Sequence, residues 1–311
     1  MVRAPGSIYT AGGQRIRKGG EPIDAIKEAI TEWLTELLVS GTMNNLTGLF
    51  DTVNEKVGDI SHQVGQTPAG WNSSVYSMIH TLSENVIVPI AGLILAFIMT
   101  LEFIQIIIER NNLHDFEISN IYKWMFKTAC ATLIVTNTWN IVMAVFDISQ
   151  SIVSDASGIM VSDATLNFES LIPDLESRLE AMELGELFGI WMQSFLVGIC
   201  MHVLTICIFL ISFGRMIEIY IVTSVAPIPM ATMMNRESSH MGQNYLKSLG
   251  ALGLQAFLII ICVAIYAALV QNIAVTSDIS YAIWTCMGYT VLLCFSLFKT
   301  GSLAKSLLGA H

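Results

Sequence analysis

The sequence predicts an all-α polytopic membrane protein of about five spans, with an N-terminal amphipathic helical domain and an acidic extracytoplasmic helical loop. Three observations predict it. Hydrophobic residues fill 53% of the 311 positions and charged residues only 13%, whereas soluble domains are about one quarter charged. Mean hydropathy is +0.62. Several apolar runs approach or exceed the roughly 20 residues that cross a bilayer. The net charge of −10 runs against a nucleic-acid-binding surface, which would be basic.

Residues 1–21 are Gly-rich and basic (Arg3, Arg15, Arg17, Lys18) and read as a flexible arm. They lack the apolar core of a cleavable signal peptide. Residues 22–84 read as an extracytoplasmic helical domain. Pro22 suits a first helical turn. Ile23, Ile26, Ile30, Leu34, Leu37 and Leu38 then form one face, with Asp24, Lys27, Glu28, Glu32 and Glu36 opposite. Leu46, Leu49, Phe50, Val53, Val57, Ile60 and Val64 continue the period, and the chain turns at Gly65–Gly70.

Residues 85–154 hold the first two spans, about Val86–Ile108 and Thr128–Phe146. Glu102 lies inside the first, and an intramembrane carboxylate is a functional candidate unless it reaches the interface. The second is rich in Thr, with Asn137 and Asn140, so it is expected to face protein or water rather than lipid. Residues 155–186 form the acidic loop, with eight acids and one base, Arg178. Residues 187–234 hold a long third span. Arg215 and Glu218 stand three apart on one helix face, so they can pair there. The helix should break at Pro227 and Pro229, which lack amide donors. Residues 235–300 carry spans four and five, about Leu249–Val270 and Ile279–Phe298. Residues 301–311 are a cytoplasmic tail.

Loops 109–127, 235–248 and 299–311 contain Arg110, Lys123, Lys127, Arg236, Lys247, Lys299 and Lys305, against Arg178 alone in the other two loops. The positive-inside rule therefore puts the C-terminus in the cytoplasm and the N-terminus outside. All six cysteines fall inside apolar runs without CxxC spacing and read as small buried residues. His202, in span three, is expected to be packed and hydrogen-bonded. No Walker loop, GxGxxG, HExxH or nucleophile elbow is present, so no enzyme, cofactor or metal site is expected.

Six segments share an order and spacing: His62–Trp71, Val86–Gly92, Ile108–His114, Met143–Asp147, Gly214–Met230 and Gly242–Lys247. Together they resemble the TrbL-like polytopic membrane proteins of conjugative type IV secretion systems, in the form carried by integrative elements of Gram-positive bacteria. The resemblance spans about residues 22–300. It implies a homo-oligomeric membrane core, or channel, that supports transfer of DNA or protein. ATPases would supply the energy, and an extracellular appendage or adhesin would be seated on it. Under that reading Glu102, Asn137 and Asn140 are candidates for a lumen or inter-subunit contact, and Arg215 with Glu218 is a structural pair near the cytoplasmic mouth. The residues leave two alternatives open: an ion or small-solute transporter using Glu102, and a membrane scaffold without a lumen.

Overall fold

One helix, α8 (Leu184–Ser224), runs 41 residues without a break and organises the molecule. It covers residues 187–224 of the expected third span as one continuous helix. The computed structural model describes residues 21–108, 118–160, 172–235, 238–273 and 278–310. The basic arm and acidic residues Asp163 and Glu169 lie outside the described residues.

The other helices are α1 (Glu21–Val64), α2 (Pro68–Trp71), α3 (Ser73–Leu82), α4 (Val88–Ile108), α5 (Ile118–Thr136), α6 (Thr138–Met160), α7 (Ile172–Glu180), α9 (Pro227–Thr232), α10 (Ser239–Ile273) and α11 (Ile279–Leu307). A π-helical turn, Ser83–Ile87, joins α3 to α4. Among the described residues there is no strand. The protein is all-α and polytopic: four helices are long and apolar enough to cross a membrane, and a fifth crossing counts if the bent pair α5–α6 is one span.

Local chemistry sets the breaks. Thr67 accepts a hydrogen bond from the Gly70 amide at 3.1 Å and starts α2. Asn72 caps α3 through the Val75 amide at 3.0 Å, and Asp278 caps α11 through the Tyr281 amide at 3.1 Å. Pro227 occupies the first turn of α9, where its missing amide costs nothing.

The second expected span, Thr128–Phe146, is not one straight helix. It bends by 62° between α5 and α6, at Asn137. The hydroxyls of Thr128, Thr132, Thr136 and Thr138 each donate to the carbonyl four residues earlier; Thr128 also reaches Met99 Sδ of α4 at 3.4 Å, and Thr136 accepts from Asn137 Nδ2 at 3.4 Å. Such back-bonding bends helices. It also satisfies hydroxyls within the helix itself, so the polarity of this segment does not by itself demand a partner helix or water.

The main core lies between α1, α8, α10 and α11, with Val153 and Ala156 of α6 and Leu179 of α7 joining it. The contacts set its register. Gly41 lies against the Trp191 indole. Asn45 donates to Ser194 at 3.0 Å. Trp71 meets Phe213 edge-on, ring centroids 5.5 Å apart, and the Tyr220 hydroxyl donates to the Pro68 carbonyl at 2.6 Å. Residue numbers rise together along the two helices, so α1 runs parallel to α8. From Val39 onward the apolar stripe of α1 is buried in the core it shares with α8, whereas Ile26, Ile30, Trp33 and Leu37 nearer its start are exposed.

α10 and α11 are antiparallel, joined at Tyr266 and Thr290, whose hydroxyls are 2.8 Å apart. Gly253 of α10 meets the Ser149 side chain of α6 and permits that close approach. The α4–α5 hairpin stands apart from this bundle. Its small core joins Ala91, Leu95, Ile98 and Met99 to Ala131 and Val135, and is completed by Ala231 of α9.

Candidate functional site

Polar groups gather at three places: the end of the bundle where α8 finishes, the α4–α5 hairpin, and the joint between α5 and α6. At the first, Arg215 is 6% exposed. Its Nη2 donates to the Leu252 carbonyl at 3.4 Å, and its Nε has no partner among the described residues. Glu218 turns the other way and accepts from Lys305 Nζ of α11 at 3.1 Å. Glu218 thus takes its ion pair from Lys305 while remaining near enough to Arg215 to attract its charge. Both residues sit on α8 at helical spacing, but α10 covers Arg215 and α11 offers Glu218 a cation. Lys305 lies 87 positions from Glu218, beyond the reach of any local spacing rule.

In the hairpin, Glu102 pairs with Lys127. Side-chain exposure is 25% for Glu102 and 31% for Lys127, so the pair is largely sheltered. Glu102 Oε2 has no partner among the described residues. Next to it, Trp124 Nε1 donates to the Met99 carbonyl at 3.0 Å and its ring tilts on Phe103, centroids 4.9 Å apart. The arrangement locks α4 to α5.

Asn137 occupies the bend and donates to the Leu133 carbonyl at 2.9 Å. Asn137 and Asn140 are both exposed. Lys127 and Asn137 are ten residues apart, about 15 Å along a helix, so Glu102 and the two asparagines are not gathered into one cluster. His202 is exposed on α8 rather than packed. Among the described residues no group of three or more His, Cys, Asp or Glu is placed to hold a metal ion.

The breaks at Pro227 and Pro229 shape a contact that spacing rules did not indicate. A Cβ added at Gly242 of α10 would lie 2.6 Å from the Pro229 carbonyl and collide with Met233. Glycine there lets α10 start directly against α9. Trp71 and Tyr220 were likewise missed. They pack with ring centroids 5.8 Å apart and tie the turn after α1 to the end of α8.

Residues 53–227 match the family model described as TrbL/VirB6 plasmid conjugal transfer like protein, over more than half of the chain. The chain belongs to that family. The TrbL/VirB6 match begins within α1, covers α2 to α8 and ends at the first residue of α9. It includes the Trp71–Tyr220 contact, the Glu102–Lys127 pair and Arg215, while Lys305 and the Gly242–Lys247 segment lie beyond it. Comparisons with curated proteins and with solved structures gave no match. Membership makes this chain a multi-pass membrane component of a conjugal transfer system, acting with other components of that system, in a family known for structural rather than enzymatic roles.

Proposed function

We propose that this TrbL/VirB6-like protein forms a homo-oligomeric ring in the cytoplasmic membrane. The ring serves as the passive channel or assembly platform on which a conjugative type IV secretion system moves DNA or protein. The family match over residues 53–227 carries this reading. Separate ATPases supply the energy, and an extracellular appendage or adhesin component is the partner on the outer side. Loop charge supports an N-terminus outside and a C-terminus in the cytoplasm. The exposed apolar side chains Phe195, Val203 and Ile206 on α8 and Phe295 on α11 suit contact with lipid.

Within this reading Asn137 and Asn140 remain candidates for a lumen or inter-subunit contact because both are exposed at the bend. Glu102 is better assigned to holding the hairpin, since Lys127 already neutralises it. That pairing also weighs against a solute transporter that would use Glu102 as a free carboxylate. The test is deletion of the gene from its native element, with complementation, read as transfer to a recipient. Loss of transfer restored by the intact gene supports the reading. Unchanged transfer overturns it. A single, lumen-less species in purified native membrane discs would favour a scaffold over a ring.

A further inference from the structure

The sequence places α1 outside the membrane because it carries too many charges to cross in contact with lipid. The packing argues otherwise. Residues 41–63 of α1 lie beside residues 191–212 of α8 in matching order, from Gly41 against Trp191 and Asn45 against Ser194 to Asp59 and Gln63 beside Thr205 and Ser212. That part of α8 is apolar and exposes Val203 and Ile206 outward at 56% and 59%. A stretch of 23 residues is about 35 Å long, enough to cross a hydrocarbon layer about 30 Å thick. If the middle of α8 is within the bilayer, so is α1.

The distribution of polar residues on α1 says what surrounds it. Its buried side is apolar, with Leu46, Leu49, Phe50, Ile60 and Val64 in the core it shares with α8 and α10. Its opposite side exposes Asn44, Gly48, Asp51, Glu55, Asp59 and His62. Their spacings of four, three, four, four and three residues keep them on one face for about five turns. Beside the stripe, a groove of about 200 Å³ separates α1 from α8; Asp59, Gln63, Thr205 and Ser212 line it together with Ile60, Ile206, Ile208 and Phe209, and exposed His202 stands one turn before Thr205. Charged groups at hydrocarbon depth face protein interior or a water-filled cavity, not lipid.

We propose that α1 crosses the membrane parallel to α8 and turns its Asn44–His62 face to water enclosed between copies of the chain. The crossing rests on the packing alone. The enclosed water rests also on the ring reading above. Residues 21–38 then lie on the outer side, and the turn at residues 65–72 lies on the cytoplasmic side. For α6 and α8 to keep their expected directions, the α4–α5 hairpin then enters and leaves from the cytoplasmic side without completing a crossing.

Substituted-cysteine labelling in right-side-out and inverted membrane vesicles tests this, using the full chain with its six cysteines replaced by alanine. Glu28→Cys and Ser73→Cys, both at exposed positions, flank the crossing. A membrane-impermeant maleimide is expected to reach them from opposite sides. Reaction of both from the same side overturns the crossing. Asp51→Cys is expected to react with a charged thiol reagent at least tenfold faster than Val203→Cys. Equal rates overturn the aqueous face and leave the crossing intact. If cysteine replacement spoils folding, a protease-recognition insert after Gly70 in the otherwise native chain reads the same sidedness: cleavage only in inverted vesicles supports the crossing, and cleavage only in right-side-out vesicles overturns it. None of these readouts uses transfer, so failure of this placement is distinct from failure of the ring reading.

Discussion

The bundle and the hairpin are built from similar apolar sequence and held in different ways. Half of the most apolar window of α10 is buried, against 22% in both α8 and the continuous α3–α4 helix, so the contrast lies in the centre of the bundle rather than in its every member. α10 is surrounded by α6, α8 and α11, and its contacts use small or closely fitted residues such as Gly253 and Tyr266. The hairpin meets one short helix, α9, and closes its contact with Ala91, Ala131 and Ala231. In lipid, burying apolar groups gains little, so packing and interhelical hydrogen bonds decide which helices stay together. The bundle holds the main core of the molecule. The hairpin is a separable attachment, joined through α9, the Asn137 bend and the Trp139 contacts.

The largest expected break is in the bundle. Gly253→Leu forces a side chain into the space held by Ser149 and is expected to destabilise by about 3 kcal/mol, the upper range for overpacking. Loss of a monodisperse peak in detergent, while the hairpin-only variant Lys127→Met retains it, would establish the contrast. Tyr220→Phe comes next. It removes the 2.6 Å bond to the buried Pro68 carbonyl at an expected cost of about 1–2 kcal/mol. The thermal midpoint reads that effect, and no change would show that the Trp71 ring contacts alone hold the turn.

The individual helices were more legible in the sequence than their assembly. α4, α8, α10 and α11 stand out because runs such as Leu187–Ile211 are long and nearly free of charge. The turn at Gly65–Gly70 and the break at Pro227 follow from backbone chemistry that proline and glycine impose locally. The lengthwise packing of α1 on α8 was not legible. A one-sided stripe states that a helix will be covered but not by which neighbour. The bend at Asn137 was read as a polar helix face, because the same threonines serve either a partner or their own carbonyls. Lys305 escaped as the partner of Glu218 for the plain reason that α11 reaches α8 only in three dimensions.

Arg215 sharpens the comparison from inside the bundle. A buried guanidinium with one long hydrogen bond and an unpartnered Nε recovers little of its desolvation cost. Arg215→Met is therefore expected to change stability by no more than about 1 kcal/mol, in either direction. If Arg215→Met keeps a native thermal midpoint but loses transfer, the arginine is retained for function and not for folding. In the hairpin, Lys127→Met leaves the Glu102 carboxylate sheltered and unpaired. The expected loss is about 1 kcal/mol, reduced from that of a fully buried pair because both side chains keep some solvent contact. Glu102→Gln combined with Lys127→Met should recover part of it, and a double-mutant cycle measures the coupling.

The smallest effect is expected where the two regions meet. His80 of α3 tilts on Trp139 of α6 with centroids 4.7 Å apart, while Trp139 Nε1 donates to the Tyr76 hydroxyl at 3.0 Å. His80 also contacts Glu84 at 3.0 Å across one helical turn, with side-chain exposures of 35% and 54%. An exposed pair at this spacing contributes only about 0.3–0.5 kcal/mol, whereas an aromatic contact contributes about 0.5–1.5 kcal/mol beyond its buried area. Glu84→Gln should therefore leave the thermal midpoint nearly unchanged, and His80→Ala should lower it measurably. The reverse order would mean that the pair within the α3–α4 helix, which weakens with added salt, matters more to stability than the His80 ring contact on Trp139.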